Sequence, residues 1–185
     1  MRAARSVARA ETRSEARPET RPTSRPAVRP ARVAGTTAAA ALALAGLTGC
    51  APTIGVEVAP HAADPACAEV MLAVPDELGD DLPKVQTDSQ ATAAWGEPGG
   101  AVTMRCGVEQ LGPSADCQHV DSGNGTTVDW IVTTDDAGTW SFVTYGREPA
   151  VEVLVPPAVT EDHSTSFIAD LAGAVTQVPA TKECQ

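Results

Sequence analysis

Polar and apolar positions change their period several times along this chain. In "DPACAEVMLAVP", Cys67, Val70, Met71 and Val74 recur at helical spacing. Asp64 stands where an N-cap belongs, Pro65 suits the first helical position, and Pro75 ends the run, so a helix is predicted over 65–74. The following "DELGDDLPKVQTDSQATAA" is polar, holds Gly79 and Pro83, and reads mostly as loop. Four strand patterns come next, at 101–108, 126–134, 139–146 and 150–156. The second and third flank "DDAG", a four-residue turn with glycine where a positive φ is needed, and read as a hairpin. In the fourth, Val151, Val153 and Val155 share one face, and a double proline follows. A short piece around Gln118–Val120 reads as an edge strand. Finally Phe167, Ile168, Leu171 and Val175 form an apolar stripe, with Thr160 as cap, predicting a helix over about 161–175.

Helix, strands, then helix predicts an α+β domain: an antiparallel sheet of about four to five strands with two helices packed on one face. Its 122 residues, 64–185, are enough for one core.

The front of the chain reads differently. Residues 1–32 carry nine arginines against three glutamates, with arginine at every fourth position from Arg5 to Arg29. Prolines interrupt this tract and nothing in it can be buried, so a basic disordered leader is expected. Val33–Leu47, "VAGTTAAAALALAGL", is uncharged and apolar or small. It is shorter than the roughly 20 residues that span a bilayer and fits an export signal over 33–49. "LTGC" at Leu47–Cys50 resembles the bacterial lipobox, whose cysteine receives a diacylglyceryl thioether before the leader is removed. Residues 50–63 then read as a flexible tether. Arginine, alanine, proline and glycine bias points to a GC-rich genome, where valine codons also initiate. Val28 would give a compact leader and make residues 1–27 a mis-called start.

Composition sharpens this picture. From Cys50 onward the cations are Lys84, Arg105, Arg147 and Lys182, facing the 21 of the chain's 24 acids that lie outside the leader. A charge near −17 argues against nucleic acid as a partner and against adhesion to an anionic membrane surface. The expected membrane contact is the lipid on Cys50, at the extracytoplasmic face. Four further cysteines, Cys67, Cys106, Cys117 and Cys184, imply two disulfides in an exported chain, with three connectivities open. No CxxC pair occurs, which argues against a thioredoxin-like centre or a zinc knuckle.

Candidate chemistry is sparse. His119 lies near Asp121 and His163 follows Asp162, but neither has a catalytic spacing, and no glycine-flanked serine elbow is present. His61 falls in the expected tether. "DELGDD" (76–81) and "DSGNG" (121–125) hold oxygen ligands without EF-hand spacing, and solvated turns account for both. No metal and no cofactor is expected. Arg147, at a strand end beside Tyr145 and with Trp140 upstream, is the candidate ligand group: a guanidinium clamps a carboxylate or phosphate bidentately, and aromatic rings supply walls. Pairing with Glu148 or Glu152 is the structural alternative, and Arg105 beside Cys106 is read the same way. Of Trp95, Trp130 and Trp140, one or two are expected in the core.

"AAWGEP", "VTMRCGV", "VDW" and "TYGREPAVEVLVP", in that order behind the lipobox, resemble the actinobacterial domain-of-unknown-function 3515 family over nearly all of Cys67–Cys184. The resemblance implies an exported protein, often a lipoprotein, and implies no activity and no catalytic residues. Some members hold only the counterparts of Cys67 and Cys106, so it also implies Cys67–Cys106 with Cys117–Cys184, against the competing Cys106–Cys117 with Cys67–Cys184. The functional expectation is a lipid-anchored binding or accessory module of the cell envelope with a protein or glycan partner. The alternative is an envelope hydrolase acting on wall precursors or lipids.

Overall fold

The structure, a computed structural model, describes residues 52–185. The leader, the apolar run and Cys50 lie outside the described residues.

Nine strands form one sheet: β1 (Thr53–Ile54), β2 (Glu77–Leu78), β3 (Leu82–Thr87), β4 (Thr92–Trp95), β5 (Val102–Val108), β6 (Cys117–Asp121), β7 (Thr127–Thr134), β8 (Trp140–Thr144) and β9 (Ala150–Val155). Their order is β1-β3-β4-β5-β9-β8-β7-β6, with β2 pairing β3 beside that path. All neighbours are antiparallel except β1 and β3, which run parallel, so the sheet is mixed. This corrects the expected antiparallel sheet of four to five strands. Three of the missing strands, β2, β3 and β4, fall in the stretch read mostly as loop and its edge at Trp95, and β1 falls in the segment read as tether. Strand β3 exposes Pro83, Lys84 and Gln86, and β4 buries only small Ala93 and Ala94 before Trp95. Such a segment shows little alternation, yet pairing with β5 in register from Thr92↔Arg105 to Trp95↔Val102 holds it extended.

Where strands alternate strongly, the expectation and the structure agree. Met104 and Cys106 on β5, Val151, Val153 and Val155 on β9, Phe142 on β8 and Trp130 on β7 all enter one core. Each such aliphatic side chain contributes about 1.5–3 kcal/mol by leaving water. Helix α1 (Pro65–Ala73) closes this core with Cys67 and Val70, and the Asp64 carboxylate accepts from Ala66 N at 2.8 Å as its cap. Trp95 and Trp130 are fully buried, while Trp140 is 38% exposed and stacks on Phe142.

The helix expected over 161–175 is not continuous: a short helix precedes it, and only two pieces fall within it. The preceding helix is α2 (Pro157–Thr160), and the two pieces are a 3-10 segment (Thr165–Leu171) and α3 (Ala172–Val175). Ser164 is extended and caps the 3-10 segment through Ser166 N, whereas Thr160 donates to Pro157 O instead of capping a helix. "DHST" favours side-chain capping over continued helix. The stripe still does its expected work, with Phe167, Ile168, Leu171 and Val175 buried.

The segment expected as a tether, 50–63, folds from Thr53 onward. Strand β1 pairs Thr53 with Gln86 and Ile54 with Thr87. The Asp88 carboxylate accepts from Val56 N at 3.0 Å. Ala59 and Ala62 pack on Val108, Val143 and Ala150 in a second, smaller cluster. His61 N donates to Gly107 O at 2.9 Å, and the backbone of His61 and Ala62 occupies the space a side chain on Gly107 would need. Small apolar residues without periodicity look like linker in a sequence, but they let backbone lie flat on a sheet.

Candidate functional site

The chain's C-terminal segment crosses the end of β8, and a cluster of polar side chains gathers there. Thr181 N donates to Gly146 O at 2.7 Å, and Arg147 forms a bridge with Ala180. Gly146 has φ +74°, and the backbone of Lys182 lies where its Cβ would be. Only glycine satisfies both conditions. Arg147 is 7% exposed; its Nη1 donates to Val178 O, while Nε is buried without a partner. Its carbonyl accepts from Gln110 Nε2 at 3.3 Å, and Gln110 Oε1 accepts from Lys182 Nζ at 3.2 Å.

Asp129 is the centre of the cluster. It stands opposite His119 in the β6–β7 register, with Asp129 Oδ1 2.6 Å from His119 Nδ1. Its Oδ2 accepts from Cys184 N at 2.7 Å, and its backbone carbonyl accepts from Tyr145 N at 2.8 Å. Burial pushes the Arg147 guanidinium below its usual pKa, and the Asp129 charge opposes that shift. Asp129 and Arg147 line one cleft, and among the described residues no acid lies within 4.0 Å of the guanidinium. The expected pairing with Glu148 or Glu152 is not made, and Glu152 pairs instead with Arg105 across β5 and β9.

Two clefts open here. One of about 680 Å³ lies between Pro113–Ala115 and the C-terminal residues, with Tyr145 and the Cys117–Cys184 disulfide in its wall. The other, about 320 Å³, is lined by His119, Thr127, Asp129, Tyr145, Arg147 and Glu183 among others. Of the three residues singled out for ligand binding, Tyr145 and Arg147 therefore meet. Trp140 does not, because it starts β8, five residues and about 16 Å of strand from Tyr145.

His119, Asp129 and Cys184 place ligand-type atoms within 4.8 Å of one another. Cys184 Sγ is bonded to Cys117, so no thiolate is available and the trio lacks the donor set of a zinc site. The other pair is Cys67–Cys106, so both disulfides follow the connectivity that the family resemblance implied. His163 faces Asp81 at 3.2 Å, far along the chain from Asp162. The two acidic turns differ: 76–81 is tied to the C-terminal region, with Gly79 N donating to Asp170 Oδ2 at 2.9 Å and Asp81 facing His163, whereas in 121–125 Asp121 and Asn124 accept from their own turn's backbone.

Sequence reading passed over Asp129. The signal was present: a single acid inside "TTVDWIVTT", on the face opposite Val128 and Trp130. An acid within an otherwise apolar strand needs a partner.

A family model described as "Protein of unknown function (DUF3515)" matches residues 27–184. No curated protein and no solved structure matches the chain.

Proposed function

The chain belongs to the DUF3515 family, and on that footing we propose that it is a lipid-anchored extracytoplasmic binding or accessory module of the bacterial cell envelope. Cys50 carries the anchor as a diacylglyceryl thioether, and the domain beyond it engages an envelope protein or glycan.

The observation that carries this reading is the fate of the cysteines. All four from Cys67 onward are consumed in two disulfides, as suits an oxidising compartment, and Cys50 alone sits in a lipobox-like "LTGC" behind an uncharged apolar run. The actinobacterial origin belongs to the same proposal. The ligand surface is the pair of clefts beside Tyr145 and Arg147, where charged and aromatic groups converge on concave surface.

The His119–Asp129 pair favours a second reading, an envelope hydrolase, because a carboxylate that orients an imidazole is half of a general-base device. No hydroxyl or thiol among the described residues is hydrogen-bonded to His119, so the first reading is preferred.

Membrane fractions of cells expressing the full chain test the proposal. The N-terminal peptide should begin at Cys50 and carry a diacylglyceryl mass. Cys50→Ser should leave the membrane fraction or retain its leader. An unmodified Cys50 peptide in native membranes sinks the anchor. Crosslinking of the anchored protein should then capture the same envelope partner repeatedly, and a partner retained when the clefts are blocked by bulky substitution at Thr181 would remove them from the interface.

A further inference from the structure

We propose that the domain has no free leash, and that the β1–β3 edge of the sheet is held directly against the phospholipid surface into which the acyl chains on Cys50 insert. This rests on the anchoring reading above and adds an orientation to it.

Covalent reach carries the inference. Strand β1 begins at Thr53, three residues after Cys50. Three residues span at most about 11 Å even when fully extended. A free tether over 50–63 would have reached several times further. That slack is absent because residues 53–62 are bound in sequence along the domain. Thr53 and Ile54 are paired with β3, Val56 is hydrogen-bonded to Asp88, His61 is hydrogen-bonded to Gly107, and Ala59 and Ala62 are buried.

Proximity is imposed by the chain and not by charge. The residues around this edge include Glu57, Asp76, Glu77 and Asp88 against Lys84, so anionic lipid headgroups would not attract it. The acyl chains supply the binding energy and the short leash sets the orientation. The Tyr145–Arg147 end of β8 lies five strand spacings from β1 in the sheet order, about 24 Å measured along the sheet. It is left open to partners on the aqueous side.

The test uses the full chain, exported, processed and purified from membranes, then reconstituted in vesicles of phosphatidylethanolamine and phosphatidylglycerol with an energy-accepting dye on the headgroups. A fluorescent amino acid replaces Gln86 on β3, or Asn124 in the β6–β7 turn; Lys84 is the second edge position if the Gln86 variant fails to fold. Energy transfer should be roughly threefold or more stronger from the edge position than from Asn124. A flexible Gly-Ser insert of about 20 residues between Pro52 and Thr53 should abolish most of that difference. Equal transfer from both positions, or transfer at Gln86 that the insert leaves unchanged, overturns the proposal even when mass spectrometry shows the lipid on Cys50. Absence of that lipid overturns the anchoring reading itself, and this proposal with it.

Discussion

Asp129 holds His119 with one carboxylate oxygen and the backbone N–H of Cys184 with the other, 2.6 Å and 2.7 Å away. One side chain thereby joins the edge strand β6 to the C-terminal segment. Removing it has consequences unlike those of removing His119. Asp129→Ala orphans the Cys184 N–H and removes the partner of His119, and should cost about 1–3 kcal/mol in urea unfolding. His119→Ala, whose side chain is more than half exposed, should stay within about 1 kcal/mol. Equal costs for the two would mean that Asp129 is not the hub.

Gly146 tests how tightly the C-terminal segment is seated. Gly146→Ala meets the Lys182 backbone and carries a positive φ, so the segment must lift away. A loss of more than about 3 kcal/mol is expected. Amide exchange at Thr181, whose N–H donates to Gly146 O, should become fast. Gly99→Ala also has a positive φ but open space around it, and should cost about 1 kcal/mol, so it separates backbone strain from collision.

Acid should release the N-terminal segment first. Hydrogen bonds from Val56 N and then Ser89 hold the Asp88 carboxyl below its ordinary value of 3.8. A folded pKa lower than the unfolded one gives stability that is full above the unfolded value and lost as pH falls through the folded one. The Asp88 carboxyl resonance should therefore titrate with a midpoint below 3.8, with Val56 amide protection falling in the same window. In Asp88→Asn the Val56 amide should lose that acid-sensitive step. A midpoint above 3.8 would reverse the sign.

The two disulfides should differ in accessibility but not greatly in worth. Sequence separations of 39 and 67 residues give about 4 kcal/mol each from loop closure. Cys67 and Cys106 are buried in the main core, whereas Cys117 and Cys184 line the 680 Å³ cleft. Under native conditions dithiothreitol should open Cys117–Cys184 first, read by alkylation and peptide mapping over time. Simultaneous reduction of both would show that opening is global.

Legibility followed the strength of the local pattern. Helix α1 was readable because Asp64, Pro65 and Pro75 are local signals that act within a few residues. Strands β5, β7, β8 and β9 were readable because half-buried antiparallel strands alternate. Strands β2, β3 and β4 were not, since their extended shape comes from neighbours and their side chains are polar or small. Residues 53–62 misled for the same reason.

The candidate site was half legible. Tyr145 and Arg147 stand two residues apart and announced themselves, but their partners come from β6, β7 and the last residues of the chain. Trp140, close to Tyr145 in sequence, is carried away by the length of one strand.

By itself the sequence determined the acidity of the chain beyond Cys50, the number of cysteines that can pair, and the caps and alternations of the regular elements. These depend on composition or on residues a few positions apart. Tertiary structure decided the nine-strand mixed sheet, the seating of 53–62 on it, and the meeting of Asp129 with His119 and Cys184. Those contacts join positions 10 to 55 residues apart, and no local period encodes them.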